Sequence, residues 1–227
     1  MEIRPVAFVR SPFKEKFGAP RQSGRAPHVI SEIVFEPEYR AEEAFRGLEG
    51  FGYLWVLFGF SLVGEDEVKL CVRPPRLGGN RKVGVFASRS PFRPNRIGLS
   101  SVKLEGIRRD PVLGTVLTVS GADIADGTPV YDIKPYLPFT DSHPEAACGY
   151  AGEHEDHRLK VCDPAGLLGL LPPELREGAA ECIADDPRPS YADDPDRTYG
   201  MSYAGYGIRF RVREGEAEIL EAIMNDE

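Results

Sequence analysis

The sequence predicts a mainly β protein: a single antiparallel or mixed β-barrel as N-terminal domain over residues 1–145, then a small α+β C-terminal domain over 146–227. Three observations carry this. Gly (24) and Pro (20) both exceed average usage in 227 residues, which favours turns over long helices. About seven strand-length apolar stretches follow one another at short spacing, with few helical patterns between them. After Asp141 the chain becomes polar and acidic, and the element types change. A hydrophobic content of 41% permits a core.

EIRPVAFVRSPF opens with a strand. Val6 and Phe8 fall on one face, Ala7 and Val9 on the other, so burial on both sides is expected. KEKFGAPRQSGRAP is a Gly/Pro-rich loop, and SEIVFEPEY is the second strand. RAEEAFRGLEGF has helical spacing at Ala41, Ala44, Phe45 and Leu48, with Gly50 as its stop. YLWVLFGFSLV is too short to span a membrane and reads as a fully buried strand. EVKLCVRPPRLGGN is a strand breaking into a Pro/Gly turn, and KVGVFAS is another strand. LSSVKLEGIRRD and GTVLTVSGADI pair through RDPVLG, and TPVYDIKPYLPF is a last extended segment. SHPEAACGYAGEHEDHR reads as an acidic linker or exposed excursion. PAGLLGLLPPELREGAAECIADDP then reads as short helices, and YGIRFRVREGEAEILEAI as a hairpin about Glu214-Gly215. No internal repeat is present.

Several function classes lack their signatures. No run of 18 apolar residues exists, so no membrane partner is expected, and MEIRPVAFVRSPF has no apolar signal region. Cys71, Cys148, Cys162 and Cys182 form no C-x-x-C pair and read as free thiols in the cytoplasm. His154-x-x-His157, flanked by Cys148 and Cys162, matches no standard zinc spacing, so no metal is expected. The phosphate-loop, dinucleotide and nucleophile-elbow glycine motifs are missing. The net charge is −8, but it is unevenly spread. Up to Arg109 there are 19 Lys and Arg against 12 Asp and Glu; beyond it there are 9 against 24. Seven cations and no acid lie from Arg73 to Arg96. Such a belt is either a solvated face or the footprint of an anionic partner.

Two stretches suggest chemistry. GVFASRSPFRPNRIGLSSVKL sets arginines and prolines on a stiff backbone, which a strand does not tolerate. It reads as strand over Gly84 to Ala87, loop over Ser88 to Ile97, and strand from Leu99 to Leu104. In DGTPVYDIKPYLPF, alternation sends Val130, Asp132, Lys134 and Tyr136 to one face, and Tyr131 and Ile133 to the other. An acid, a cation and a phenol then share a face beside prolines 129, 135 and 138. An exposed edge strand with a surface ion pair explains the same pattern equally well. APRQSG, Ala19 to Gly24, is a loop carrying Arg and Gln donors.

SPFKEKFGAPRQ, VRPPRLGG, GVFASRSPFRPNRIGLS and DGTPVYDIKPYLPF, in that order, closely resemble blocks of the tRNA threonylcarbamoyladenosine N6-methyltransferase family. DPRPSY (Asp186 to Tyr191) and the Thr198 to Val212 segment resemble its tail. The resemblance implies a single β-barrel that binds S-adenosylmethionine. It also implies methylation of a modified adenosine in the tRNA anticodon loop, by a homodimer whose second subunit helps complete the site. By position, cofactor contacts fall on Pro20, Arg21 and Gln22, on Ser61 and Leu62, on Arg89 and Leu99, and on the Ala122 to Pro129 turn. That turn carries Asp123, Ile124, Asp126, Gly127, Thr128 and Pro129. Ser61-Leu62 stands where the family often has His and a polar residue. Tyr203 to Gly207 lacks the family's frequent Trp.

The target nitrogen is conjugated to a carbamoyl group. It is a poor nucleophile with a fairly acidic N–H, so an acceptor nearby helps. Asp132 is the candidate acceptor, with Tyr136 positioning the base and Lys134 pairing an anion; the substrate's own carboxylate is the alternative. The threonyl carboxylate and loop phosphates suit guanidinium groups. Arg73, Arg76, Arg93 and Arg96, with Asn95, are the substrate-binding candidates, and Arg81 and Lys82 extend the belt. Phe92 and Tyr131 are stacking or core residues. A small-molecule methyltransferase and a non-catalytic RNA-binding barrel are the competing functions.

Overall fold

The computed structural model describes residues 2–64, 68–74, 81–154, 157–189 and 194–225. The N-terminal strands are β1 (Ala7–Arg10), β2 (Ile30–Phe35), β3 (Tyr53–Gly59), a short ladder of β4 (Cys71–Val72) and β5 (Val83–Gly84), then β6 (Ile97–Asp110), β7 (Gly114–Ser120) and β8 (Pro129–Pro135). Six of these pair antiparallel in the order β1-β2-β7-β6-β3-β8. Because β8 also pairs with β1, the ladder closes into a ring.

Alternation builds the ring's interior. Ala7, Val9, Ile33, Leu54, Val56, Phe58, Val102, Leu117, Val119 and Val130 are buried together. Among the described residues no helical layer covers the outside of the ring, and such an antiparallel sheet has one face packed and one solvated. This corrects two expectations. In β1, Phe8 is exposed while Ala7 and Val9 are buried. In β3, Tyr53 is exposed and Trp55 and Leu57 are half-buried. The predicted helix near Ala41 is also replaced by two short 3-10 turns, Glu42–Phe45 and Leu48–Gly50. Gly47, at φ 88°, breaks it between them. Phe45 instead packs edge-on against Phe35, at 4.7 Å between centroids.

The β6–β7 hairpin forms as predicted, and Asp110 shows why. Its Oδ1 accepts the N–H groups of Val112 and Leu113, both at 2.9 Å, and Oδ2 accepts from Arg108. Those two backbone donors, with Arg108, hold the Asp110 carboxyl down at about 2. The KVGVFAS strand shrinks to β5, followed by a 3-10 turn at Val85–Ala87.

A bulge in β8 changes the predicted faces. Leu57 pairs with Asp132 but Phe58 pairs with Val130, leaving Tyr131 as the extra residue. Val130 and Ile133 therefore both turn toward the interior, although three residues apart. Asp132 and Lys134 point outward, so Val130 does not share their face.

Beyond α1 (Pro138–Asp141), β9 (Lys160–Cys162), α2 (Pro173–Ala184), β10 (Thr198–Tyr203), β11 (Tyr206–Arg213) and β12 (Glu216–Met224) form the second assembly. Its sheet runs β10-β11-β12-β9, with β9 parallel to β12. β9 starts just past the acidic stretch SHPEAACGYAGEHEDHR, which ends at Arg158. Glu214 (φ 48°) and Gly215 (φ 79°) turn the β11–β12 hairpin at the predicted place, with both central residues left-handed. The core of this assembly holds Ile183, Tyr203, Ile208 and Phe210, together with Phe13, Ala26 and Val29 from the loop after β1.

Candidate active site

Strand order decides which loops meet. One end of the ring collects the C-terminal ends of β1, β3 and β7 and the N-terminal ends of β2, β6 and β8. The three connections there are residues 11–29, 60–96 and 121–128. These carry most of the predicted cofactor and substrate residues.

Hydrogen bonds tie the loops together. The Ser11 N–H donates to Asp126 Oδ1 at 2.9 Å, and the Asp126 N–H to the Phe13 carbonyl at 2.8 Å. The Gly24 N–H donates to the Gly121 carbonyl at 2.8 Å. Arg89 donates to Gln22 Oε1. Ser61 Oγ and Thr128 Oγ1 are 3.1 Å apart. Gly127, at φ 69°, lets the turn double back so that its N–H reaches the Val9 carbonyl at 2.9 Å. Gln22, Ser61, Arg89, Asp126 and Thr128 therefore do converge.

Asp123 closes this end of the ring. Ser100 lies on the inward face of β6, opposite Val56, and its Oγ donates to Asp123 Oδ1 at 2.6 Å. Burial pushes the Asp123 carboxyl up; the Ser100 hydrogen bond, the Ser23 N–H and the Arg89 charge oppose that rise. Leu62 and Leu99 add apolar surface, each 53% exposed. Pro20 and Ile124 are buried, and Ile124 belongs to the ring's core, so their side chains line no open surface. Pro129 is half-buried at the start of β8. Arg21 turns away: its guanidinium donates to the carbonyls of Asp186 and Arg188 in the C-terminal assembly.

The proposed catalytic trio lies on the outer face of β8. Lys134 Nζ is 3.3 Å from Asp132 Oδ2, and Asp132 Oδ1 accepts the Ile133 N–H at 2.9 Å. Tyr136 packs against Trp55 and Tyr53, at 5.4 and 6.2 Å between centroids. Trp55 Nε1 donates to Asp141 Oδ2 at 2.9 Å, which docks α1 nearby. At about 3.3 Å per residue, Tyr136 stands roughly 20 Å along β8 from the loop end. One chain does not bring Tyr136 to the converging loops.

The arginine belt divides into two sets. Arg93 donates to the carbonyls of Ser88 (2.9 Å) and Ser90 (3.3 Å), and Arg96 to that of Val63 at 3.0 Å. Their guanidinium groups satisfy loop carbonyls that have no ladder partner. Arg73, Arg81, Lys82, Arg89 and Asn95 are exposed. Arg76 lies outside the described residues. Phe92 is half-buried beneath Lys69, whose Nζ is 4.0 Å from the ring centroid. Tyr131 is half-buried, with its hydroxyl against Gly59, where a Cβ would overlap it.

Sequence reasoning missed three features here. Phe86 is 78% exposed between Lys82 and Arg89, an apolar residue at the tip of a cationic turn. Ser100 reads as an ordinary strand residue until its partner is known. Asp185 ends a helix, and nothing in its local pattern announces that it reaches the Arg21 loop.

Residues 8–142 match the family model of the tRNA-methyltransferase O N-terminal domain, and residues 169–224 that of the TrmO C-terminal domain. The chain belongs to the tRNA-methyltransferase O family. It is 39% identical over 229 residues to an Escherichia coli protein named tRNA (adenine(37)-N6)-methyltransferase, covering 96% of each chain. An Eikenella corrodens protein of the same name is 47% identical over 174 residues, covering 77% of this chain and 97% of its own. The solved structure of TrmO from Pseudomonas aeruginosa superposes with a TM-score of 0.77 at 31% identity, covering 98% of both chains. The first family match begins inside β1 and ends just after α1. The second begins shortly before α2 and ends with β12.

Proposed function

We propose that this protein uses S-adenosylmethionine to methylate N6 of threonylcarbamoyladenosine beside the tRNA anticodon. One observation carries the reading: the three loops matched to cofactor contacts meet at one end of the ring, cross-linked by their own hydrogen bonds. The names of its relatives agree with it. On this reading the ring is a single β-barrel domain over 1–145, the α+β domain spans 146–227, and the enzyme works on tRNA in the cytoplasm. Among the described residues, no helix is long and apolar enough to cross a membrane.

The residues at the loop end suit such a cofactor chemically. Leu62 and Leu99 offer apolar surface to an adenine ring. Asp126 and Asp123 offer acceptors to hydroxyl or ammonium groups, and Arg89 with Gln22 offers polar partners for a carboxylate. When bound, S-adenosylmethionine supplies an electrophilic methyl group on a sulfonium. The chain supplies alignment, since an in-line displacement depends on near-attack geometry. Asp132 accepts the N6 proton, and its ion pair with Lys134 orients the carboxylate. Arg73, Arg81 and Lys82 take the anticodon-loop phosphates. Tyr136 and its aromatic neighbours stand far from the loop end of their own chain. A homodimer in which one protomer's outer face meets its partner's loop end is therefore the working unit.

The deciding experiment incubates the protein with methyl-labelled S-adenosylmethionine and tRNA from cells with or without the threonylcarbamoyl modification. Label is expected only in modified tRNA. Cofactor binding without transfer to any tRNA would favour a small-molecule acceptor. Binding of tRNA without cofactor would favour a non-catalytic barrel.

A further inference from the structure

The loop carrying Pro20, Arg21 and Gln22 is held from outside the ring. At its far end the Gly24 N–H reaches the Gly121 carbonyl, and Gln22 accepts from Arg89. Its near end rests on the C-terminal assembly. Asp185, 2% exposed, follows the last turn of α2, and both of its carboxylate oxygens act on this loop. Oδ2 accepts the Arg21 backbone N–H at 3.0 Å, and Oδ1 accepts Arg25 Nε at 2.7 Å. The next residue completes the seat. Asp186 adopts φ 51°, a left-handed helix stop, which aims its carbonyl at the Arg21 guanidinium 2.9 Å away. Its own carboxylate accepts from Arg188 Nε and Nη2, at 2.8 and 3.0 Å, and lies 2.9 Å from His157 Nε2.

We propose that Asp185 is a positioning residue for the cofactor: through the Arg21 N–H and the Arg25 guanidinium it fixes the Pro20–Gln22 loop in its binding shape. The C-terminal assembly then contributes to cofactor affinity without touching the cofactor. This rests on the functional reading above, which puts cofactor contacts on that loop. No water replaces a buried carboxylate, so removing it takes away the acceptor of the Arg21 N–H and of Arg25 Nε together, although Arg25 keeps its bond to the His157 carbonyl. A loop that must be ordered at the moment of binding lowers affinity by the cost of that ordering.

The test uses the full chain and calorimetric titration with S-adenosylmethionine, with tRNA kinetics alongside. Asp185→Ala is expected to raise the cofactor Kd about tenfold, the loss of one to two charge-assisted hydrogen bonds. The KM for tRNA should stay within about twofold. Asp185→Asn keeps one acceptor oxygen and should fall between; it serves as the probe where Asp185→Ala fails to fold. Hydrogen exchange of the free protein should quicken at amides 21–24 in both variants. His28→Ala is the control. It removes the ring contacts of the same loop segment to α2, Nδ1 to Glu181 at 2.6 Å and Nε2 to Glu177 at 3.1 Å, and leaves the His28 N–H on Glu181 Oε2. A merely structural role predicts that His28→Ala raises the cofactor Kd as much as Asp185→Ala; that result, or an unchanged Kd in both Asp185 variants, overturns the proposal. Wild-type protein that binds no S-adenosylmethionine overturns the functional reading and this inference with it. Normal wild-type binding with unresponsive variants overturns the inference alone.

Discussion

The two sets of arginines make opposite predictions about salt. Arg73, Arg81 and Lys82 are exposed, whereas the Arg93 guanidinium is committed to two carbonyls of its own loop. Each cation that neutralises a phosphate contributes roughly 0.7 to 0.9 to the slope of log affinity against log salt. Replacing Arg73, Arg81 and Lys82 together with alanine should flatten that slope by about 2 to 2.7. Raising salt fourfold, from about 50 to 200 mM, should then weaken wild-type binding about 20- to 40-fold more than it weakens the triple variant. Arg93→Ala should leave the slope unchanged and instead cost roughly 1–3 kcal/mol of stability. The corresponding fall in melting temperature is about 2–4 °C per kcal/mol in a chain of this size. Filter binding of modified anticodon stem-loops across a salt series, paired with thermal melts, reads both quantities. A slope that falls in Arg93→Ala and persists in the triple variant would refute the assignment of the two sets.

Other perturbations separate chemistry from fold. Asp132→Asn should lower kcat for tRNA while the cofactor Kd holds; unchanged turnover excludes Asp132 as the proton acceptor. The Glu181 hydrogen bond raises the pKa of His28. The contact therefore contributes fully below about pH 6.5, the unfolded value, and is lost as pH rises through the higher folded value. Denaturation profiles of wild type and His28→Ala should thus diverge most at pH 6 and converge in alkali; divergence that grows with pH would contradict the contact. Leu54→Ala, at a site with no exposure, should destabilise the ring by about 2–5 kcal/mol, and a loss under 1 kcal/mol would mean the interior is loosely packed.

Much of the strand order was legible because its signals are local. The β6–β7 hairpin announces itself by alternation on both sides of a turn, and Glu214-Gly215 by its turn residues. Two-sided burial of β1 and β3 was misread because apolar residues on a ring's outer face look, in sequence, like residues of a covered sheet. The helix near Ala41 failed at Gly47, whose left-handed conformation no periodicity reports. The bulge at Tyr131 depends on register with β3, a pairing across some 70 residues. The loops proposed to hold the cofactor were picked out by resemblance in four ordered blocks. Resemblance did not reveal that the Arg93 and Arg96 guanidinium groups turn back onto backbone carbonyls, because a motif records residue types and not hydrogen-bond partners. Asp185 was invisible because its partners lie 160 and 164 positions away.

Phe13, Ala26 and Val29 lie in the C-terminal core, although both ends of their loop are rooted in the ring. This bears on how genetic variation in the last third of the chain should be interpreted. A substitution that loosens α2 or β10 to β12 releases the middle of that loop before it unfolds any ring strand. On the proposed reading its first phenotype is weaker cofactor binding, with the strands of the ring intact. Alleles from this region should therefore be read with cofactor affinity measured beside turnover.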